Sequence, residues 1–460
     1  MKLFQSALLG LAAVVVTGCG MLPRLADFEH VERKRQSENG QVVDMSGARM
    51  QPYREPVEAA LSTMSDRSFV DRHARILEVI NGAPATSGND SRILLDGPQT
   101  WQAIFAAMAA ARDHIHIESF IFEDLVFGSR LSDLLVAKAK DGVAVRVIYD
   151  SVGSSSTPRD LFQRLRTAGI ALCEFNPTSL AGGKLLRLNH RDHRKIVLVD
   201  GKVAFTGGIN FHSVYRTGSA MQFRTKMPTI EEGWRDTHVE LAGPSVHELQ
   251  SLFLSTWKKQ GCAEQPVRDH FPTWQSNGPH TVAIVGSSPD AMLSRMYLLL
   301  VAGIAYSRHS VWLTTAYFAP DPDTIRVLSA AAQRGVDVRL LLPGFTDSFL
   351  AFHAGRSHYE ALLNAGVKIY EQRDALLHAK TAVIDGVWST IGSSNVDWRS
   401  FCHNDEINAL FLGANFGSQM RQVFEDDLAL AHEVTLGDWQ GRGPTTRFRE
   451  WFASKFDYLL

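Results

Sequence analysis

Long apolar runs are scarce in this chain. No segment beyond its first twenty residues holds 18 uninterrupted apolar residues, and the best candidate, Met296 to Tyr317, is broken by Arg308. That excludes a multi-span membrane protein and leaves Met296 to Tyr317 to be read as a buried helix followed by a buried strand. Charge of one sign is also missing: 47 Lys plus Arg against 49 Asp plus Glu give −2. The global basic field of a strong, non-specific nucleic-acid binder is therefore absent, although local patches are compatible with this balance. There are four cysteines and no C-x-x-C pair, and the 17 histidines form no H-E-x-x-H, so the sequence gives no metal site. Without a G-x-S-x-G elbow or a P-loop lysine motif, serine esterase and NTPase readings have no support. At 45% hydrophobic and 21% charged, 460 residues are ordinary globular material, enough for two or three domains.

Lys2 precedes an apolar run from Ala7 to Val16, the order of an export signal and too short to span a bilayer. The run ends Val16-Thr17-Gly18-Cys19, which resembles the lipobox of bacterial lipoproteins. That resemblance implies cleavage before Cys19, lipidation of its thiol, and a periplasm-facing protein of the cell envelope held at a membrane by lipid. Gly20 in place of Asp points to the outer membrane. A plain secretory signal with an incidental cysteine is the alternative. Cys173, Cys262 and Cys402 then remain; an odd number leaves at least one thiol unbridged within the chain, and the sequence leaves the pairing open.

Residues 1–18 are thus the signal and 19–85 a tether with accessory helices. From about Ile93, helices alternate with short β-rich runs, the α/β signature. The chain also repeats itself. Leu134 to Tyr149 (LLVAKAKDGVAVRVIY) matches Val327 to Leu342 (VLSAAAQRGVDVRLLL), each an Ala-rich helix, a glycine turn and a strand. Phe162 to Phe175 matches Tyr359 to Glu371, and His114 to Phe122 matches Ser310 to Phe318, in the same order. Two copies of one α/β domain, 86–265 and 281–460, are expected, joined by a proline-punctuated linker at 266–280.

Each copy closes its matched series on one cluster. The first runs from His193 through Lys195 to Asp200 and then to Gly207-Gly208-Ile209-Asn210. The second runs from His378 through Lys380 to Asp385 and then to Gly392-Ser393-Ser394-Asn395, with no gap between the two patterns. A His and a Lys two apart project from one face of a strand, so imidazole and ammonium converge. Asp200 and Asp385 lie seven residues on, an odd spacing that turns them away and assigns them to structure. Asn210 and Asn395 end the glycine turns as amide donors. Two such clusters facing each other suit a phosphodiester: one His attacks phosphorus, the other protonates the leaving oxygen, and two Lys and two Asn hold the non-bridging oxygens.

These paired H-x-K-x4-D signatures, each followed by G-[GS]-x-N, resemble the phospholipase D superfamily over residues 90 to 440. The resemblance implies two fused α/β/α sandwich domains related by a pseudo-twofold axis, with the active site at their interface. It also implies a two-step reaction through a phosphohistidine that uses no metal or other cofactor. By the same resemblance His193 is the nucleophile and His378 the acid and later base, while Asp236, in Trp234 to His238, orients His193 and Glu406, in Asn404 to Asn408, orients His378. Leu95-Asp96-Gly97, Glu118 to Phe122 and Tyr317 to Asp321 most resemble bacterial cardiolipin synthases. The implied activity condenses two phosphatidylglycerols into cardiolipin and glycerol; hydrolysis to phosphatidic acid and nucleic-acid phosphodiesterase activity are the alternatives. The lipobox and the lack of N-terminal membrane helices depart from the usual synthase. Gly182 to Lys195, rich in Lys and Arg, offers a surface for anionic headgroups or is a solvated loop. Ser219 to Gly233, with Phe223 and Met227, is a lid over an acyl chain or a loop without that role.

Overall fold

Alternating helices and β-branched runs build two sheets of one design. The computed structural model describes residues 69–82, 84–123, 129–178, 189–219, 233–266, 268–274, 278–289 and 294–460. The signal segment with Cys19, most of the tether, the front of the basic stretch (Gly182 to Leu188) and the candidate lid from Ala220 to Glu232 lie outside the described residues.

The first sheet has seven strands: β1 (Asp90–Leu95), β2 (His114–Ser119), β3 (Ala144–Asp150), β4 (Ala171–Phe175), β5 (Lys195–Val199), β6 (Val203–Gly207) and β7 (Thr237–Ala242), in the order β1-β7-β6-β5-β2-β3-β4. The second repeats it with β8 (Gly278–Ser287), β9 (Ser310–Thr314), β10 (Asp337–Pro343), β11 (Lys368–Gln372), β12 (Thr381–Ile384), β13 (Trp388–Gly392) and β14 (Asn404–Leu412), in the order β8-β14-β13-β12-β9-β10-β11. In both, the three strands carried by helical crossovers run parallel and the rest pair antiparallel. The duplication read from three matched units therefore extends to every strand of the core.

Side chains alternate between two cores with the period of the strand. In β5, Val197 and Val199 face outward onto Ile104 and Leu135 of the helices Asp96–Ala110 and Arg130–Lys140. Ile196 and Leu198 face inward, into a core that the two domains share: Val239 and Leu241 join Val383, Ile407, Ala409 and Phe411 of the second sheet. The outer face of that second sheet is covered by the helices Arg295–Ala305 and Pro322–Gln333. This apolar part of the seam helps fix the two halves against one another.

Connections cross between the halves. The helix Phe69–Asn81 buries Ile76, Leu77 and Ile80 in the core of the second domain, and the strand Thr86–Gly88 extends the second sheet beyond β8. Residues 86–88, placed in the first domain by the sequence, instead join 69–81 in building the edge of the second, and the first sheet opens at Asp90. A disulfide joins Cys173 on β4 to Cys262 in the segment leading to the linker, and among the described residues Cys402 takes part in no disulfide.

Candidate active site

The segment in front of each motif lysine pairs with the other domain. Arg191-Asp192 runs parallel to Asn404-Asp405, and the His193 amide donates to the Asp405 carbonyl at 2.8 Å. In the mirrored position Arg235 bridges to Leu377, and the His378 amide donates to the Arg235 carbonyl at 2.7 Å. Each histidine is thereby set beside the acid that follows its partner strand, which is an acid of the opposite half.

This reverses the expected assignment. His193 Nδ1 lies 3.1 Å from both Glu406 carboxylate oxygens, and His378 Nδ1 lies 2.7 Å from Asp236 Oδ2. Asp236 does not orient His193, nor Glu406 His378. The reason is the parallel bridging just described, which carries each acid across the interface to the motif of the other repeat. With Nδ1–H donated to a carboxylate, Nε2 of each ring is left for a substrate.

The two acids are seated differently. Glu406 accepts from the Ser393 hydroxyl and, at 3.2 Å, from Asn404 Nδ2. Burial pushes its carboxyl up, but the pairing with His193, the Lys195 charge and the Ser393 hydrogen bond bring it below the usual range. Where the second motif has Ser393 the first has Gly208, whose hydrogen faces Asp236: a Cβ there would stand 2.1 Å from Oδ1. Burial raises the Asp236 carboxyl, with Lys380 opposing. The Leu95-Asp96-Gly97 stretch supports this acid: Asp96 Oδ1 accepts from the Asp236 amide at 3.0 Å, and Gly97 packs on the Tyr215 carbonyl with no room for a side chain. The Tyr215 hydroxyl reaches His378 Nδ1 at 2.8 Å.

Lys195 and Lys380 are both buried, and each ammonium donates to the carbonyl of the histidine two residues before it at 2.5 Å. Burial lowers Lys195 to about 7 and Lys380 to about 8, Glu406 and Asp236 respectively opposing the shift most. Burial also lowers His193 to about 4, with Glu406 opposing and Lys195 adding, and it drives His378 well below its usual range. Neutral imidazoles are thus the resting state near neutral pH, beside lysines that lose their charge from about 7 and about 8 upward. Asn210 Oδ1 accepts from the Ile121 amide and Asn395 Oδ1 from the Tyr317 amide, both at 3.4 Å, which turns each NH2 away from those strands' ends. Asp200 and Asp385 stand at the far ends of their strands with φ of 53° and 52°. Asp200 accepts the amides of Arg112, Asp113 and His114, and Asp385 those of Arg308, His309 and Ser310, tying the turn after each motif strand to the start of the neighbouring strand.

His193, His378, Asn210 and Asn395 line one cavity of about 400 Å³ between the domains. Its walls are unequal. Trp234 and Tyr215 lie 5.0 and 5.9 Å from the His378 ring, whereas Ser400 and Asn404 hold the corresponding places on the His193 side, where Phe120 lies 5.3 Å away. Tyr215, Asp347 and Arg399 line the cavity and were not singled out from the sequence; Tyr215 stands five residues past the motif asparagine, the only signal that could have marked it.

Among the described residues, one group has the composition of a metal site: His114, His116 and His270 bring ring nitrogens within 4.8 Å of one another. It sits at the far end of β2 from Ser119, the residue paired with Lys195. Burial lowers His270 to about 4, with His114, Arg146 and Arg268 adding and only Asp113 opposing, and Arg146 acts on His116 as well, an electrostatic setting poor for a cation.

Comparison with known proteins agrees with this geometry. The profile described as cardiolipin synthase, PLD-like domain, matches residues 104–215 and 300–428. Cardiolipin synthase 1 of Bacillus cereus is 34% identical over 401 residues, 85% of this chain and 77% of the relative. The major cardiolipin synthase of Bacillus subtilis is 31% identical over 86% of this chain and 81% of its own length. In fold, the chain is similar to the phosphatidylserine synthase of Haemophilus influenzae, with a TM-score of 0.60 at 11% identity, covering 80% of this chain and 95% of that one. A duplicated motif, its two histidines on one cavity and these relatives together show that the chain belongs to the cardiolipin synthase family of phospholipase D-like proteins.

Proposed function

We propose that this protein transfers a phosphatidyl group between two phosphatidylglycerols, giving cardiolipin and glycerol. The anionic phosphodiester brings a solvent proton onto His378 Nε2 as it enters; His193 Nε2 attacks phosphorus, the bond to the headgroup glycerol breaks, and His378 gives that oxygen the proton. The hydroxyl of a second phosphatidylglycerol then attacks the phosphohistidine, His378 takes its proton, and His193 is released. Lys195, Lys380, Asn210 and Asn395 hold the non-bridging oxygens; Glu406 keeps the His193 tautomer and Asp236 that of His378. The convergence of two carboxylate-held histidines on one interdomain cavity carries this reading.

The cavity wall favours transfer over hydrolysis. Phe120, Tyr215, Trp234 and Tyr317 surround the histidines with rings that disfavour free water, and Arg399 adds a positive charge to the same lining. A lipidated Cys19 facing the periplasm fits the Cys173–Cys262 disulfide, which persists in an oxidising compartment. Among the described residues no helix is long and apolar enough to cross a membrane.

The test is lipid mass spectrometry on purified protein with phosphatidylglycerol vesicles, beside His193→Ala. Cardiolipin and free glycerol, lost in the variant, support the proposal. Phosphatidic acid would make the protein a hydrolase on the same machinery. No product would redirect the search to another donor lipid or to nucleic acid, and a fully active variant would overturn the mechanism.

A further inference from the structure

The helix Pro444–Ala453 turns the wrong face outward for a solvated helix. Phe448, Trp451 and Phe452, at i, i+3 and i+4, are 62%, 56% and 43% exposed, while Glu450 on the opposite side is buried and paired with Arg442. Isolated surface aromatics need no explanation; three on one stripe do. Phe349, 54% exposed, stands at the start of the helix Phe349–Ser357, which packs against this one. The exposed charges along residues 444–455 are all positive: Arg447, Arg449 and Lys455, the last lying over the Trp451 ring at 5.4 Å.

Position gives the stripe its meaning. The helix Phe349–Ser357 begins two residues after Asp347, a wall of the catalytic cavity, and Asp347 accepts from the hydroxyl of Tyr317, another wall, at 2.7 Å. Phe349 stacks edge-on with His353 at 4.4 Å, and the Arg449 charge acts on that same His353. From its other end the aromatic helix continues into Ser454–Leu459, which packs beside the helix Trp398–Cys402; the Arg399 amide donates to the Leu460 carbonyl at 2.6 Å. Arg399 and Ser400 also line the cavity. The aromatic segment therefore packs on two helices, Phe349–Ser357 and Trp398–Cys402, that each adjoin or line the walls of the site.

We infer that residues 444–456 form an interfacial docking face that seats on an anionic bilayer and brings the cavity mouth to the lipid surface. Bulky aromatics enter the headgroup boundary and the basic side chains lie along its negative surface. This deepens the proposed lipid chemistry and rests on it for the substrate, but the contact itself is measurable without turnover.

The experiment is hydrogen exchange of the full chain with and without vesicles containing phosphatidylglycerol, beside vesicles of phosphatidylcholine alone. Protection at 444–456 that requires the anionic lipid is expected. A triple variant, F448S/W451S/F452S, should lose that protection and turn over vesicle lipid roughly tenfold more slowly. Its rate on a short-chain phosphatidylglycerol below the micelle concentration should be unchanged. Vesicle binding with no change at 444–456, equal loss on both substrates, or protection that grows with protein concentration without vesicles, as a second copy would give, each overturns the inference. If the wild type proves inactive on phosphatidylglycerol yet shows the protection, the proposed reaction fails and the docking face stands.

Discussion

Glu406 of the second domain holds His193 of the first, with both carboxylate oxygens 3.1 Å from Nδ1, and Asp236 returns the same contact to His378 at 2.7 Å. Each half therefore completes the carboxylate–histidine pair of the other, and the consequences of changing either acid should follow the histidine it touches rather than the repeat it belongs to.

The leaving group separates the two pairs. An acid catalyst matters most when the departing oxygen is strongly basic, so His378→Ala and Asp236→Asn should each cost about 10²–10⁴-fold on phosphatidylglycerol. The first step should recover towards wild type on a phosphatidyl p-nitrophenol ester, which leaves without protonation. His193→Ala and Glu406→Gln should stay slow on both esters. Pre-steady-state release of nitrophenol reads the difference, and recovery of the Glu406 variant instead would reassign the nucleophile.

The pH profile should be lopsided. His193, lowered to about 4, is neutral and nucleophilic above that value, so kcat/KM should fall only as the medium is acidified towards it. Lys195 and Lys380, lowered to about 7 and about 8, lose their charge as pH rises through those values, and the grip on phosphate weakens with it. His378 must also carry the proton it gives, and burial drives it well below its usual range, so the expected alkaline limb starts at or below neutrality, well before an ordinary lysine titrates, and kcat/KM measured from pH 4 to 9 on the free enzyme checks it.

Equivalent positions should not tolerate equivalent residues. Gly208→Ser drives a Cβ into Asp236, and the displaced carboxylate should cost at least about a hundredfold in kcat. Ser393→Gly removes a donor to Glu406 and the acceptor of the Ile407 amide without driving an atom into the carboxylate, and should cost about tenfold. Activity assays beside thermal melts distinguish a misplaced acid from a damaged fold.

The disulfide closes a loop of 89 residues between β4 and the segment beyond the helix Ser245–Lys259. Its removal in C173A/C262A should lower unfolding free energy by about 2–4 kcal/mol, while Cys402→Ala leaves the reductant response intact. Denaturant titrations with and without reductant measure both.

Much of this was legible in the sequence. The three matched units disclosed the duplication, and the His-Lys spacing located the cavity-lining rings, because a strand's period of two is written in the chain itself. What was not legible was non-local. Asp236 and Glu406 follow their own repeats in sequence, and nothing in that order shows that Arg235 bridges to Leu377 or that Asp192 pairs with Asp405. Tyr215 was missed because its role depends on Gly97 clearing the space that brings its backbone close.

Fusion of the two halves has a consequence that a symmetric pair of separate subunits would lack. In a twofold dimer every substitution appears twice, so the two sides of a shared cavity are bound to remain alike. Here Gly208 stands opposite Ser393 and Tyr215 opposite Ser400, each changed on one side alone. A single chain can thus specialise one wall for the lipid that gives and the other for the lipid that receives, while the chemistry common to both stays in register.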